Sequence, residues 1–112
     1  MTVPTFPPTP TVPVDASTDR FTAVIVCFAR ELAALIGEEP PYDLAPTDFI
    51  GLVERVRDVL GSASNAAWQE ASVDLDRAAG YLTDALTGTA GDQRSLLAWA
   101  RTHLRDGIAT AG

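Results

Sequence analysis

One apolar run limits what this chain can fold into: residues 17–37, STDRFTAVIVCFARELAALIG. At helical spacing its large apolar side chains share one face. They are Phe21, Val24, Ile25, Phe28, Leu32, Leu35 and Ile36. A weaker apolar strip beside that face consists of Val26, Ala29 and Ala33. Because a helix that is apolar on more than one side is usually buried on more than one side, the run predicts a core helix whose second strip contacts a partner.

Three further amphipathic segments follow this run. Apolar residues recur at helical spacing over residues 47–60, about 64–87 and about 92–109, and no segment alternates as a strand would. Short connections join the segments, which favours antiparallel neighbours. The sequence therefore predicts an all-α fold, a four-helix up-and-down bundle over residues 17–112.

Capping and breaking residues mark the expected helix ends. Ser17 or Thr18 is the expected N-cap of the first helix, and Thr47 that of the second. Gly37 is placed to end the first helix in the left-handed conformation. Gly80, inside the third helix, predicts a close helix contact or a slight kink.

A proline-rich stretch precedes the bundle. Residues 1–16, MTVPTFPPTPTVPVDA, hold five of the eight prolines, so they predict an extended arm that is neither helix nor central strand. Phe6 and the valines make this arm less polar than a simple spacer. Two interpretations stay open: a disordered tail, or an arm that docks on its own bundle or on a partner through Phe6.

The charge balance excludes several classes of function. The chain of 112 residues has a net charge of −7, and all eight basic residues are arginine. An acidic chain is disfavoured as a binder of nucleic acid or of an anionic membrane surface. The lack of lysine removes Schiff-base chemistry and the P-loop lysine. The composition, rich in alanine, arginine and aspartate and free of lysine, resembles that of proteins from high-GC actinobacterial genomes or their phages.

The expected location is the cytoplasm. The N-terminus has neither the basic nor the apolar region of a signal peptide. No apolar run reaches the roughly 18 residues that a membrane-spanning helix needs.

Few residues could carry chemistry. The single cysteine, Cys27, is expected to be a buried, inert thiol, and the single histidine, His103, a packed or half-exposed residue near Trp99. The acids of the third helix, among them Asp74 and Asp84, lie on its polar side with Tyr81 and are expected to face solvent. With no nucleophile, metal or cofactor motif, the sequence predicts a protein without a catalytic site, metal or cofactor.

Arginines form the most specific charged feature. Arg94, Arg101 and Arg105 recur on one exposed stripe of the fourth helix at spacings of seven and four. One interpretation pairs them with the acids of the third helix or of the acidic loop. The other gives them contact with an anion or a partner protein.

The leading hypothesis is a bacterial or phage interaction module, an assembly, adaptor or regulatory subunit that forms a dimer or a hetero-complex. The alternative is an acidic inhibitor, such as an immunity protein, antitoxin or anti-defence protein, that covers a basic site. Residues 38–48 hold four acids and no base, and residues 62–88 hold four acids and one arginine. An inhibitor predicts that these two segments share one surface. A third possibility is a small ligand-binding or catalytic bundle.

Overall fold

Four helices form the part of the chain that the computed structural model describes, residues 13–88 and 90–112. They are α1 (Pro13–Leu35), α2 (Pro46–Ser62), α3 (Ala66–Thr87) and α4 (Ala90–Ala111). No residue in these two ranges belongs to a strand. Each helix packs on two others, α1 and α3 both lying against α2 and α4, so the four close into a bundle. The predicted all-α bundle is confirmed. Among the helices described, none combines the length and apolarity needed to cross a membrane.

Specific contacts fix the helix directions. Near the end of α2, Arg57 Nη1 lies 3.0 Å from Asp76 Oδ1 in the first half of α3. At the start of α3, the Trp68 indole Nε1–H donates to the Ala111 carbonyl at the end of α4, over 3.0 Å. Both neighbouring pairs are therefore antiparallel. It follows that the α1–α2 loop, residues 36–45, and the α3–α4 connection lie at the same end of the bundle.

The core is apolar, since none of the buried side chains among residues 20–88 and 92–112 is polar or charged. Its largest fully buried side chains come from all four helices: Phe21, Phe49, Leu32, Leu60, Leu75, Leu82, Leu104, Val24, Val53 and Val56. Full burial of one such side chain stabilises the fold by about 1.5–3 kcal/mol. The predicted core faces of the four helices supply these residues.

The end of α1 matches its predicted cap. Gly37 has φ +71°, and its N–H bonds to the Ala34 carbonyl over 3.2 Å. The N–H of Glu38 bonds to the Ala33 carbonyl over 2.9 Å. These two bonds make a Schellman motif, which satisfies carbonyls at the helix end and needs a residue that tolerates positive φ.

Helix starts differ from the sequence expectations. α1 begins at Pro13, so residues 13–16 of the expected arm are helical and neither Ser17 nor Thr18 is its cap. The expected cap at Thr47 is also wrong: Ala45 precedes α2 without a side-chain bond, and the ring of Pro46 suits the first helical position. Residues 1–12, including Phe6, lie outside the described residues.

The second strip of α1 is not one exposed surface. Ala29 and Ala33 are buried in the bundle, whereas Val26 is 75% exposed. An alanine beside an apolar face is covered once a neighbouring helix packs there, because its side chain ends at Cβ. Of the three, only Val26 offers its side chain to a partner. Cys27 is exposed, so the expectation of a buried thiol is wrong.

Close helix approach occurs at a glycine other than the expected one. Gly80 is exposed, and a Cβ built there would meet nothing within 4 Å. A Cβ on Gly107 of α4 would lie 3.2 Å from Leu75 Cδ2 and 3.3 Å from the Ala71 carbonyl oxygen of α3. The small residues at this position let the two helices pack closely.

Candidate functional site

The two flanks of α4 carry opposite charges. Asp92 lies with residues of α3, whereas Arg94 and Arg101 lie with residues of α1. Helical spacing puts Asp106 on the same flank as Asp92 and Arg105 on the same flank as the other two arginines. Each flank borders a groove between α4 and a neighbouring helix.

The groove between α3 and α4 combines aromatic and acidic side chains. We name it the acidic aromatic groove; it has a volume of about 430 Å³. Its lining includes Tyr81, Asp84, Asp92, Ser95, Leu96 and Trp99. Its two carboxylates stand on opposite helices, because Asp84 belongs to α3 and Asp92 to α4. This arrangement of rings and carboxylates suits a cationic group.

Aromatic contacts extend the groove along the α3–α4 seam. The rings of Tyr81 and Trp99 meet edge to face, with centroids 5.4 Å apart and planes at 86°. On the other side, Tyr81 stacks on His103 with centroids 5.6 Å apart. Tyr81 is half-buried, so its expected place on the solvent side of α3 is wrong.

A polar pair adjoins these rings. His103 Nδ1 lies 3.0 Å from Asp74 Oδ1, and the two side chains are 21% and 23% exposed. The half-exposed histidine is confirmed, but Asp74 does not face solvent as expected. Catalytic triads contain an imidazole bonded to a carboxylate, but they also need a nucleophile that is hydrogen-bonded to the other ring nitrogen. Among the described residues, His103 hydrogen-bonds only to Asp74, so the pair joins α3 to α4.

The groove between α1 and α4 is basic. We name it the arginine groove; its volume is about 260 Å³. Its lining includes Arg20, Val24, Arg94, Leu97, Ala98 and Arg101. Arg20 was not predicted as a site residue, and Arg105 is exposed but does not line the groove. The three arginines surround a floor formed by the buried side chains of Val24 and Leu97.

The salt bridges found among the described residues do not include the arginines of the predicted stripe. Arg55 pairs with Glu38 over 2.7 Å, and Arg57 pairs with Asp58 and Asp76. The side-chain hydrogen bond to Glu38 raises the pKa of Arg55. Arg94, Arg101 and Arg105 form no salt bridge within 4.0 Å to any side chain of residues 20–88 or 92–112. The first interpretation of the stripe, pairing with the acids of α3 or of the loop, therefore does not hold.

Metal ligands do not converge within the described ranges, where no three His, Cys, Asp or Glu side chains form a cluster able to hold an ion. Comparison of the chain with protein-family models, with curated proteins and with solved structures finds no match. The two grooves beside α4 are thus the features from which a function is inferred.

Proposed function

We propose that the protein is a cytoplasmic, non-enzymatic interaction module that binds another protein as an assembly, adaptor or regulatory subunit. The observation that carries this proposal is the pair of open grooves of opposite charge on the two flanks of α4. Each groove has apolar side chains in its lining and charged groups beside them. That is the make-up of a protein interface, in which aromatic residues and arginine are enriched.

Trp99 is the best candidate for a contact residue. Its side chain is 58% exposed, although tryptophan is among the residues that contribute most to binding when an interface buries them. Other large apolar residues are exposed singly, which is normal for a protein surface. Trp99 differs from them because it lines a groove together with a second aromatic ring, Tyr81, and two carboxylates.

The acidic inhibitor is the second candidate function. The α1–α2 loop and the α3–α4 connection share one end of the bundle, and acids of the loop and of the adjoining helix ends lie there. They are Glu38, Glu39, Asp43, Asp48, Asp84 and Asp92. A concentration of acids at one end favours association with a basic surface. The small ligand-binding bundle is less favoured, because the larger groove is open between two helices rather than enclosed by the core.

Photo-crosslinking tests the interaction module. A benzoylphenylalanine placed at Trp99 should give a covalent adduct of discrete mass in the source cells. The same residue placed at exposed Glu70 of α3, outside both grooves, is the matched control. An adduct of twice the chain mass identifies self-association, and any other mass a different partner. If neither position 99 nor position 94, in the arginine groove, gives an adduct, the proposal is contradicted.

The oligomer hypothesis, a dimer or a hetero-complex through α1, now depends on Val26. Val26→Glu should dissociate the complex without loss of helicity, because the side chain is exposed. Ala33→Glu should instead unfold the chain, since it buries a charge in the apolar core. Analytical ultracentrifugation and circular dichroism measure the two effects. A complex that survives Val26→Glu removes α1 from the interface.

A further inference from the structure

Two aromatic rings and two carboxylates meet in the acidic aromatic groove. Tyr81 and Trp99 both line the groove, and their ring planes stand nearly perpendicular at 86°. The indole of Trp99 is more than half exposed, so its surface is open to a ligand. The electron-rich face of an aromatic ring attracts a cation, and tryptophan does so most strongly.

The two carboxylates of the groove are placed to bind such a cation and are not engaged in other salt bridges within the described part of the chain. Asp84 and Asp92 are both exposed, and neither forms a salt bridge to another described residue. Standing on opposite helices, they offer acceptors on both walls of the groove. Arg77, the single basic residue of α3, does not line the groove. The lining of the groove is therefore negatively charged.

We propose that the acidic aromatic groove receives an arginine side chain of a partner protein. This inference rests on the proposed interaction function and names the chemistry of the partner. A guanidinium is planar, stacks on aromatic faces and donates to carboxylates in a fixed fork. Lysine has a compact, strongly hydrated ammonium that cannot do both. The acids at this end of the bundle make a basic segment of a protein the complementary partner.

Titration with short peptides tests the choice of arginine. The probe is the acetylated, amidated peptide Gly-Arg-Gly-Arg-Gly, compared with its lysine and citrulline counterparts. NMR of the ¹⁵N-labelled full chain follows the Trp99 indole N–H and the backbone amides of 81–84 and 92–99. The arginine peptide should shift these signals and bind at least about fivefold more tightly than the lysine peptide, while the citrulline peptide, which keeps the shape without the charge, should not bind.

Matched variants separate the groove from the general negative charge. Asp84→Asn and Asp92→Asn should each lower the affinity for the arginine peptide about tenfold, because each removes a charged acceptor. Asp106→Asn removes the same charge on the same flank, 14 residues or about 21 Å along α4. It should change the affinity less than about twofold, because its distance exceeds the Debye length. Trp99→Leu should weaken binding and abolish the arginine preference.

Three outcomes would overturn the inference. They are equal weakening by Asp106→Asn, equal affinity for the lysine peptide, and shifts spread over the acidic surface rather than confined to the groove. This inference can fail while the proposed function holds. If a partner is crosslinked at position 99 but the peptides show no preference for arginine, the interaction module is still supported. Circular dichroism of each variant checks that the fold is kept.

Discussion

The two flanks of α4 contact their neighbours in different ways. Against α3, the helix packs closely at Gly107 and adds the Asp74–His103 pair and the stacked aromatic rings. Against α1, it leaves a groove bordered by arginines that have no salt-bridge partner among the side chains of residues 20–88 and 92–112. The α3 flank therefore combines tight packing and polar contacts toward the end of α4 with an open groove at its start, whereas the α1 flank is held by apolar contacts under exposed charges.

Because the two flanks differ, the net charge of −7 describes neither of them alone. Asp92 and Arg94 are two residues apart in sequence, but residues at this spacing on a helix do not face each other. The helical period thus directs the acid toward α3 and the arginine toward α1. A chain that is acidic in total can in this way present a basic groove and an acidic groove on opposite sides of one helix.

Truncation of the leucines in the two grooves should change stability most and should distinguish one groove from the other. Leu97, in the arginine groove, is buried, and its neighbour Leu96, in the acidic aromatic groove, is half-buried. Leu97→Ala should lower the free energy of unfolding by about 2–5 kcal/mol. Leu96→Ala should lower it by about 1 kcal/mol, since less apolar surface is lost. Urea denaturation measures both free energies of unfolding. Equal losses would mean that Leu96 and Leu97 contribute equally to the core.

The next effect tests the close packing against α3. Gly107→Val should destabilise by about 1–3 kcal/mol, because the added groups overlap Leu75 and the backbone of Ala71. Gly80→Ala is the matched control, since it adds a methyl group in open space within a helix. It should stabilise by up to about 1 kcal/mol through helix propensity. Thermal unfolding compares the two, and a neutral Gly107→Val would contradict a close contact at this point.

A smaller effect is expected from the aromatic pair on the same flank. The edge-to-face contact of Tyr81 with Trp99 should give a coupling energy of about 0.5–1.5 kcal/mol. A double-mutant cycle with Tyr81→Leu and Trp99→Leu isolates this energy from the loss of apolar area. Additive single and double variants would indicate that the two rings pack independently.

The smallest effect is expected on the α1 flank. Arg94→Gln and Arg101→Gln should change the free energy of unfolding by less than about 0.5 kcal/mol, because both side chains are exposed. Chemical denaturation at low and at high salt gives the measurement. A loss above about 1 kcal/mol that disappears in salt would mean that these arginines do pair with acids of the folded chain.

Apolar spacing was sufficient to predict the fold. Phe49, Leu52, Val53 and Val56 are buried where the period of α2 places them. Val59 belongs to the same apolar repeat but is 44% exposed, because the edge of an apolar face depends on how closely the next helix approaches. The start of α2 was missed because Pro46 begins the helix without a capping side chain.

The candidate site could be predicted only in part. The exposure of Arg94 and Arg101 follows from their spacing on one helix. The approach of Arg20 to them, and the bond between Asp74 and His103, depend on which helices are neighbours and on how each is rotated. A charged residue at the border of a helix face has the same sequence pattern whether it meets solvent or a partner across the seam.

The two tryptophans stand in different surroundings, which gives the protein two built-in fluorescent reporters. Trp68 is half-buried, and its indole N–H is bonded to Ala111, so its emission follows the attachment of the end of α4 to the start of α3. Trp99 is largely exposed in the acidic aromatic groove, so its emission follows occupancy of that groove. Chain unfolding and groove binding can therefore be recorded in one unlabelled sample, with a water-soluble quencher acting first on Trp99.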